Sequence, residues 1–246
     1  AKEVYQLLHS LELEKSYEFW TFERLGYINE RIIKINAIED FPTDLDPLHL
    51  VILFERAEPI TKPEELPLFG INDSVFLQNP DCPGLMTKKE IRVQLLAELN
   101  IPKQGILWDI GSGVGSIGLE ALRISPDLKL VSVDKKIGSK NIIKENARRL
   151  GVNPSLIIEG EALNVITKNK ISHNLSNPDR VIIGGGGAHS HLILEEVLKR
   201  VNSFCILIMP LISLKSISRL ESILKPKVSR LSISQHQSYR GVNIGD

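Results

Sequence analysis

The period of the apolar positions changes along the chain, and each change marks an element. Residues 2–13 repeat at helical spacing, with Val4, Leu7, Leu8 and Leu11 on one face, which predicts an amphipathic helix. Apolar runs at 20–25 and 31–35 flank a turn at 26–30 and read as strands. Residues 38–46 read as a short acidic helix or loop, and 47–54 as a buried strand. Residues 58–67 contain three prolines and several charges, the composition of a linker. No helical or strand period runs through 68–83. Thr87 followed three positions later by Glu90 is a capping-box pattern, and Ile91, Leu95, Leu96 and Leu99 form the buried stripe of the helix it opens.

From residue 105 the two periods alternate. Strands are expected at 105–110, 129–134, 155–159, 179–184 and 204–209, with helices at 115–124, 137–150, 190–201 and 213–224. The tail, 227–246, reads as a strand, a polar loop and the start of a last strand. Such alternation predicts an α/β fold with a parallel sheet and helices on both faces. Three segments follow: 1–58, a linker at 59–67, and a main domain at 68–246. About sixty residues bury little surface alone, so the first piece is expected to be part of a larger domain or to lean on the rest of the chain, and a homo-oligomer is expected.

Composition adds limits. The chain has 246 residues, enough for one large or two small domains. No run approaches the roughly 18 to 20 apolar residues that a membrane span needs, and the N-terminus has no signal-peptide pattern, so no membrane partner and a cytoplasmic location are expected. Cys82 and Cys205 are isolated, which suggests neither a disulfide framework nor a metal site. The formal net charge is zero, but residues 1–58 carry six Lys or Arg against twelve Asp or Glu. The remainder therefore has a basic excess, which suits an anionic substrate, whether polycarboxylate or nucleic acid; two joined pieces of unlike composition account for it equally well.

The chemistry concentrates after the first strand of the alternating region. Ile106, Leu107, Trp108 and Ile110 form a compact apolar run, and Asp109, Gly111, Ser112, Gly113, Val114 and Gly115 follow as a glycine-rich turn into a helix. Glycines there allow a tight turn and let backbone N–H groups approach a ligand with no Cβ between, at the positive end of the helix. Gly113-x-Gly115-x-x-Gly118 also satisfies the dinucleotide fingerprint. With Asp109 two residues before the first glycine, the stretch resembles the first motif of Rossmann-like methyltransferases, which favours S-adenosylmethionine instead. Asp134, at the end of the second strand, can accept ribose hydroxyls in either case.

Ligands of open parallel sheets lie beyond the carboxyl ends of the strands, so the residues after each strand are the ones to inspect. Glu161 and Ala162 follow the third and would border an adenine, unless Glu161 is only a solvated loop acid. Gly184, Gly185, Gly186 and Gly187 follow the fourth and leave bare backbone for a flat or bulky ligand, or an ordinary flexible loop. His189 and His191 come next and suit anion contact or proton transfer, although histidines so placed are as often surface residues; no third ligand suggests a metal.

Several motifs together carry a family resemblance: 83–92 (Pro-Gly-Leu-Met-Thr-Lys-Lys-Glu-Ile-Arg), 108–117, 145–151 (Glu-Asn-Ala-Arg-Arg-Leu-Gly), 159–162 and 183–187. In order, they resemble the decarboxylating precorrin methyltransferases of cobalamin biosynthesis, in the domain that methylates carbon 15. Residues 22–32 and 46–53 resemble the second half of the carbon-5 tetrapyrrole methylase that is fused to that domain in some members. The resemblance implies a Rossmann-like class I S-adenosylmethionine-dependent methyltransferase sheet, preceded by a partial tetrapyrrole-methylase subdomain. It also implies an anionic tetrapyrrole substrate, methylated and decarboxylated at an acetate side chain. Thr87 would touch the cofactor beside the glycine turn, Asp134 would hold its ribose and Ala162 would lie near its adenine. The glycine run 184–187 would face the macrocycle. Lys88, Lys89 and Arg92 are candidate cations for its carboxylates, although a solvated helix face accounts better for two of the three, and His189 is the candidate proton donor.

Two departures stand out. Relatives commonly have a serine where this chain has Gly186, so a hydroxyl contact to substrate is in doubt. The glycine-rich cofactor half of a carbon-5 methylase does not precede residue 1, so the front piece alone is not expected to methylate anything. Two other readings remain open: an RNA methyltransferase on the same scaffold, and a silent subunit that binds the cofactor. Against the first, residues 59–246 hold only three aromatics outside the expected strands, Phe69, Phe76 and Tyr239, so a base-stacking platform is poorly supplied and no nucleic-acid partner is expected.

Overall fold

The computed structural model describes residues 1–11, 13, 17–55, 62–79, 86–184, 189–211 and 215–238. The chain divides into two compact units, Ala1–Ile60 and Thr61–Asp246.

In the first unit helix α1 (Lys2–Ser10) covers one face of an antiparallel sheet of β1 (Tyr17–Glu23), β2 (Arg31–Ile35) and β3 (His49–Glu55), ordered β2-β1-β3. Tyr5 and Leu8 of α1 pack on Phe19 and Ile35, and Tyr5, Phe19 and Phe41 meet edge to face. Alternation puts Thr21 and Glu23 on this covered face, where Arg31 and the Asp46 amide hold the Glu23 carboxylate. The segment 47–54, expected as a buried strand, is instead largely exposed: Leu50 is 57% and Phe54 49% accessible. One helix covers only one side, and Leu50, Ile52 and Phe54 alternate onto the other beside Trp20 and Phe22.

The second unit contains a five-stranded parallel sheet ordered β6-β5-β4-β7-β8. In chain order its elements are α2 (Lys89–Glu98), β4 (Gln104–Ile110), α3 (Ser116–Ile124), β5 (Asp127–Asp134), α4 (Ser139–Leu150) and β6 (Leu156–Glu159). Then follow α5 (Ala162–Thr167), β7 (Arg180–Ile183), α6 (Ser190–Leu198), β8 (Ile206–Ile208) and α7 (Lys215–Leu224). Alternate strand residues feed two cores. Leu107, Leu128, Leu130 and Ile182 pack with α2, α3 and α4 on one side, while Trp108, Ile110, Val131, Val133, Val181 and Ile183 pack with α5, α6 and α7 on the other. The chain runs from β4 outward through β5 and β6, then returns to β7 on the other flank. The strand order therefore reverses between β4 and β7, and this switch point opens a crevice at the carboxyl edge.

Three expectations need correction here. Helix α2 starts at Lys89 with Lys88 as its N-cap and no capping side chain. Asp73 Oδ1 takes the Lys89 amide at 3.0 Å and the Thr87 carbonyl accepts from Arg92, so a distant carboxylate does the work expected of Thr87. The described part of the tail, 227–238, forms no strand. Helix α5, six residues long, was not expected. The remainder of the tail and residues 83–85 lie outside the described residues. No helix of the described residues is long and apolar enough to cross a membrane.

Candidate active site at the carboxyl edge

Strand β4 ends in a turn in which Gly111, Gly113 and Gly115 all take left-handed backbone, with φ of 73°, 58° and 81°. The turn is locked by its neighbours: the Gly111 and Ser112 amides donate to the Val133 carbonyl at 2.8 and 3.2 Å, and the Gly115 amide closes on Ser112 O at 2.8 Å. The glycines differ in what they face. A Cβ on Gly111 would lie 2.4 Å from the Gly184 carbonyl oxygen, because the tips of β4 and β7 touch there. A Cβ on Gly113 would meet nothing within 4 Å, so that part of the turn is bare backbone facing open space. Gly118 is packed instead, its missing Cβ within 2.9 Å of Asp109 Oδ2 and 2.8 Å of Leu130.

Asp134 ends β5 beside this turn and is almost buried. Its Oδ2 accepts the Gly113 amide at 2.7 Å and its Oδ1 the Lys136 amide at 2.8 Å. Both oxygens are thus oriented, and each keeps lone-pair capacity for a further donor. Asp109 lies underneath, 2% exposed, and accepts the Gly118 amide at 3.2 Å. Burial, with a contribution from the Asp134 charge, pushes its carboxyl up to about 7 against the Gly118 hydrogen bond, which pulls it down. Asp109, expected among the cofactor-binding residues, lies at the strand end as read and braces the start of α3 from inside.

Around Gly113 lies a small open cleft lined by Gln78, Asn79, Val114, Lys136, Ser139 and Ile142. Asn146, buried on α4, holds its wall together: its amide nitrogen donates to the carbonyls of Val114 and Leu77 at 2.9 and 3.0 Å, and its oxygen accepts the Leu77 amide at 2.7 Å. The hydroxyls of Ser112, Ser132 and Ser139 are buried around the turn with no hydrogen-bond partner among the described residues. The polar Asn146 inside the stripe Ile143, Ala147, Leu150 was the available signal for this brace. The cleft residues Gln78 and Asn79 gave none.

The other stations spread along the same edge. Glu161 is the half-exposed N-cap of α5 and lies 3.5 Å from Lys135 Nζ, and Ala162 packs into the core below it. The Gly160 amide donates to Asp134 O at 2.7 Å, joining the tips of β5 and β6. Gly184 sits at the switch point against Gly111; Gly185, Gly186 and Gly187 lie outside the described residues. His189 is exposed just before α6. His191, the second residue of α6, is contacted by Arg219 of α7, a residue the sequence did not single out.

Arg92 is a correction. It is fully buried, with Nε 2.6 Å from Glu120 Oε1 and Nη1 2.8 Å from Asp73 Oδ1. The same guanidinium donates to the carbonyls of Thr87 and Ile71 and lies 4.8 Å from the Phe76 ring centre. The Gly70 amide occupies the other Glu120 oxygen. Such a residue is consumed in tying 70–76 to α2 and α3 and presents no charge to a ligand. Thr87 is held in place by that bond, Lys89 Nζ is used by Asn72 Oδ1, and Lys88 is the exposed cation.

A parallel sheet with a left-handed glycine turn and an oriented carboxylate on adjacent strand tips is a Rossmann-like nucleotide-cofactor edge, and comparison with known proteins places the chain among the methyltransferases of that class. A family model described as precorrin methyltransferase domain matches residues 81–245, and the chain belongs to that family. The probable cobalt-precorrin-6B C(15)-methyltransferase (decarboxylating) of Pyrobaculum aerophilum is 32% identical over 178 residues, covering 72% of this chain and 87% of its own. A decarboxylating precorrin-6Y C(5,15)-methyltransferase of Sinorhizobium is 31% identical over 181 residues, 74% of this chain but only 41% of that longer protein. In fold, the crystal structure of precorrin-6Y C5,15-methyltransferase from Geobacter metallireducens is similar, with a TM-score of 0.58, 24% identity, and coverage of 66% of this chain and 82% of that one.

Proposed function

We propose that this chain methylates carbon 15 of a precorrin with S-adenosylmethionine and releases carbon dioxide from an acetate side chain. The observation that carries the reading is the junction of Gly113 and Asp134: open backbone and a doubly held carboxylate share one hydrogen bond at the carboxyl edge, in a member of the precorrin methyltransferase family. The residues fit the cofactor, since its ribose wants an oriented acceptor and its amino-acid end wants bare backbone. When bound, S-adenosylmethionine supplies a methyl group already activated on a sulfonium.

The protein's task is then mainly alignment. Asp134 would accept the ribose hydroxyls, the turn 111–115 would hold the methionyl end, and Glu161 with Ala162 would flank the adenine. Thr87 would close the same edge. Gly184, with the run 185–187, would leave room for a flat macrocycle, and Lys88 would offer a cation to its carboxylates. In the overall change a carbon–sulfur bond breaks as a carbon–carbon bond forms. Separately, loss of carbon dioxide leaves an electron pair that the conjugated macrocycle takes up with a proton. His189 is the candidate donor of that proton. The first unit is read as the C-terminal part of a tetrapyrrole methylase domain, with 59–67 as linker and the methyltransferase at 68–246. Single-turnover transfer from methyl-labelled S-adenosylmethionine to a precorrin, with carbon dioxide trapped, tests the proposal: label in the macrocycle with gas release supports it, and cofactor binding without transfer refutes it.

A further inference from the structure

Helices α6 and α7 follow β7 and β8, so both begin at the carboxyl edge of the sheet, on the flank beyond Gly184. Arg219 Nη2, in the second turn of α7, lies 2.8 Å from Nε2 of His191 in the first turn of α6. An arginine only donates, so this ring nitrogen accepts and the ring proton sits on Nδ1. The pairing is unusual in what it omits. Glu196 is held by Lys199 and Arg200, and Glu221 by Lys225. Glu195, one turn beyond His191, forms no ion pair with Arg219. Among the described residues Arg219 therefore meets no carboxylate, and its guanidinium keeps free N–H groups beside a second donor, Nδ1 of His191. A fork of N–H donors with unspent charge, on helices that begin at the carboxyl edge, matches a carboxylate.

We propose that His191 and Arg219 form a carboxylate-binding subsite that takes one acidic side chain of the macrocycle and fixes its orientation over the end of β7. This rests on the reading of the substrate as a polycarboxylate tetrapyrrole. It keeps the sequence expectation that His191 suits anion contact and adds Arg219 as the cation, in place of Arg92 of α2, which the structure buries.

The test uses uroporphyrin, a macrocycle with eight carboxylates, titrated by its fluorescence into the whole chain, with S-adenosylhomocysteine measured in parallel by calorimetry. Arg219→Ala is expected to weaken uroporphyrin binding by about tenfold, Arg219→Lys by less, and His191→Asn by severalfold, as befits exposed charge-assisted bonds. S-adenosylhomocysteine affinity is expected to stay unchanged in all three, which separates a ligand contact from general damage to the fold. Uroporphyrin bound equally by Arg219→Ala, or not bound by the unsubstituted chain, overturns the subsite. Uroporphyrin bound as expected, with no methyl transfer to a precorrin, leaves the subsite standing and sinks the reading of the reaction instead.

Discussion

Gly111 and Gly113 offer a matched pair of substitutions that separates packing from ligand binding. Both have left-handed φ, so alanine at either costs about 1–2 kcal/mol from backbone strain. Only at Gly111 does the new methyl collide, 2.4 Å from Gly184 O, where ordinary contact begins near 3.4 Å. The tips of β4 and β7 must then part by about an ångström, and overpacking of this kind adds about 1–3 kcal/mol. Gly111→Ala is therefore expected to lose about 2–5 kcal/mol and Gly113→Ala only about 1–2. For a unit of this size that is a difference of several degrees in Tm, at about 2–4 °C per kcal/mol. The chain has two tryptophans, Trp20 and Trp108, so in a Trp20→Phe background the buried Trp108 reports on the second unit alone. Affinity should diverge from stability. The Gly113 methyl projects into the space assigned to the cofactor, so Gly113→Ala, the milder change for folding, is expected to weaken S-adenosylhomocysteine at least about tenfold, or about 1.4 kcal/mol. Equal stability losses refute the close-approach argument, and unchanged affinity in Gly113→Ala refutes the role of the bare turn.

Further expectations follow from neighbouring groups. Asp134→Ala should weaken S-adenosylhomocysteine by about 1–3 kcal/mol through lost charge-assisted bonds, and unchanged calorimetric affinity removes Asp134 from the site. Arg92→Leu should destabilise the second unit by about 3–5 kcal/mol, because Glu120 is left charged and buried; a loss below about 1 kcal/mol in urea unfolding contradicts the tie. Asp109 holds its proton more tightly folded, near 7, than at the ordinary 3.8. The native state thus binds the extra proton, and stability falls as pH rises from about 4 to about 7, by about 4 kcal/mol in all. Asp109→Asn should remove that slope from urea unfolding, and an unaltered pH profile counts against it. His189→Ala should slow carbon dioxide release more than methylation, whereas equal loss of both, or of neither, ends its candidacy.

The sheet was legible because parallel strands buried on both faces read as unbroken apolar runs. The ranges expected for β4, α3, α4 and β6 meet the observed ones within a residue or two. The glycine turn and the place of Asp134 at the end of β5 were legible as well, since both are set by neighbouring residues in the chain. What failed was long-range. Arg92 looked like a surface cation because its buried partner Glu120 lies 28 residues on, and periodicity cannot see a pair. The capping box gave way to Asp73, 16 residues earlier. Helix α5 is too short to show a period, and β3 has an apolar pattern whose covering on one side only no local rule reveals. Arg219 escaped notice because it meets His191 only through the packing of α7 on α6.

The most direct measurement is a crystal structure of the whole chain grown with saturating S-adenosylhomocysteine. The account predicts the ribose hydroxyls within hydrogen-bonding distance of Asp134 and the amino-acid end against the turn 111–115. Ligand density anywhere else, or an empty crevice at full calorimetric saturation, contradicts it.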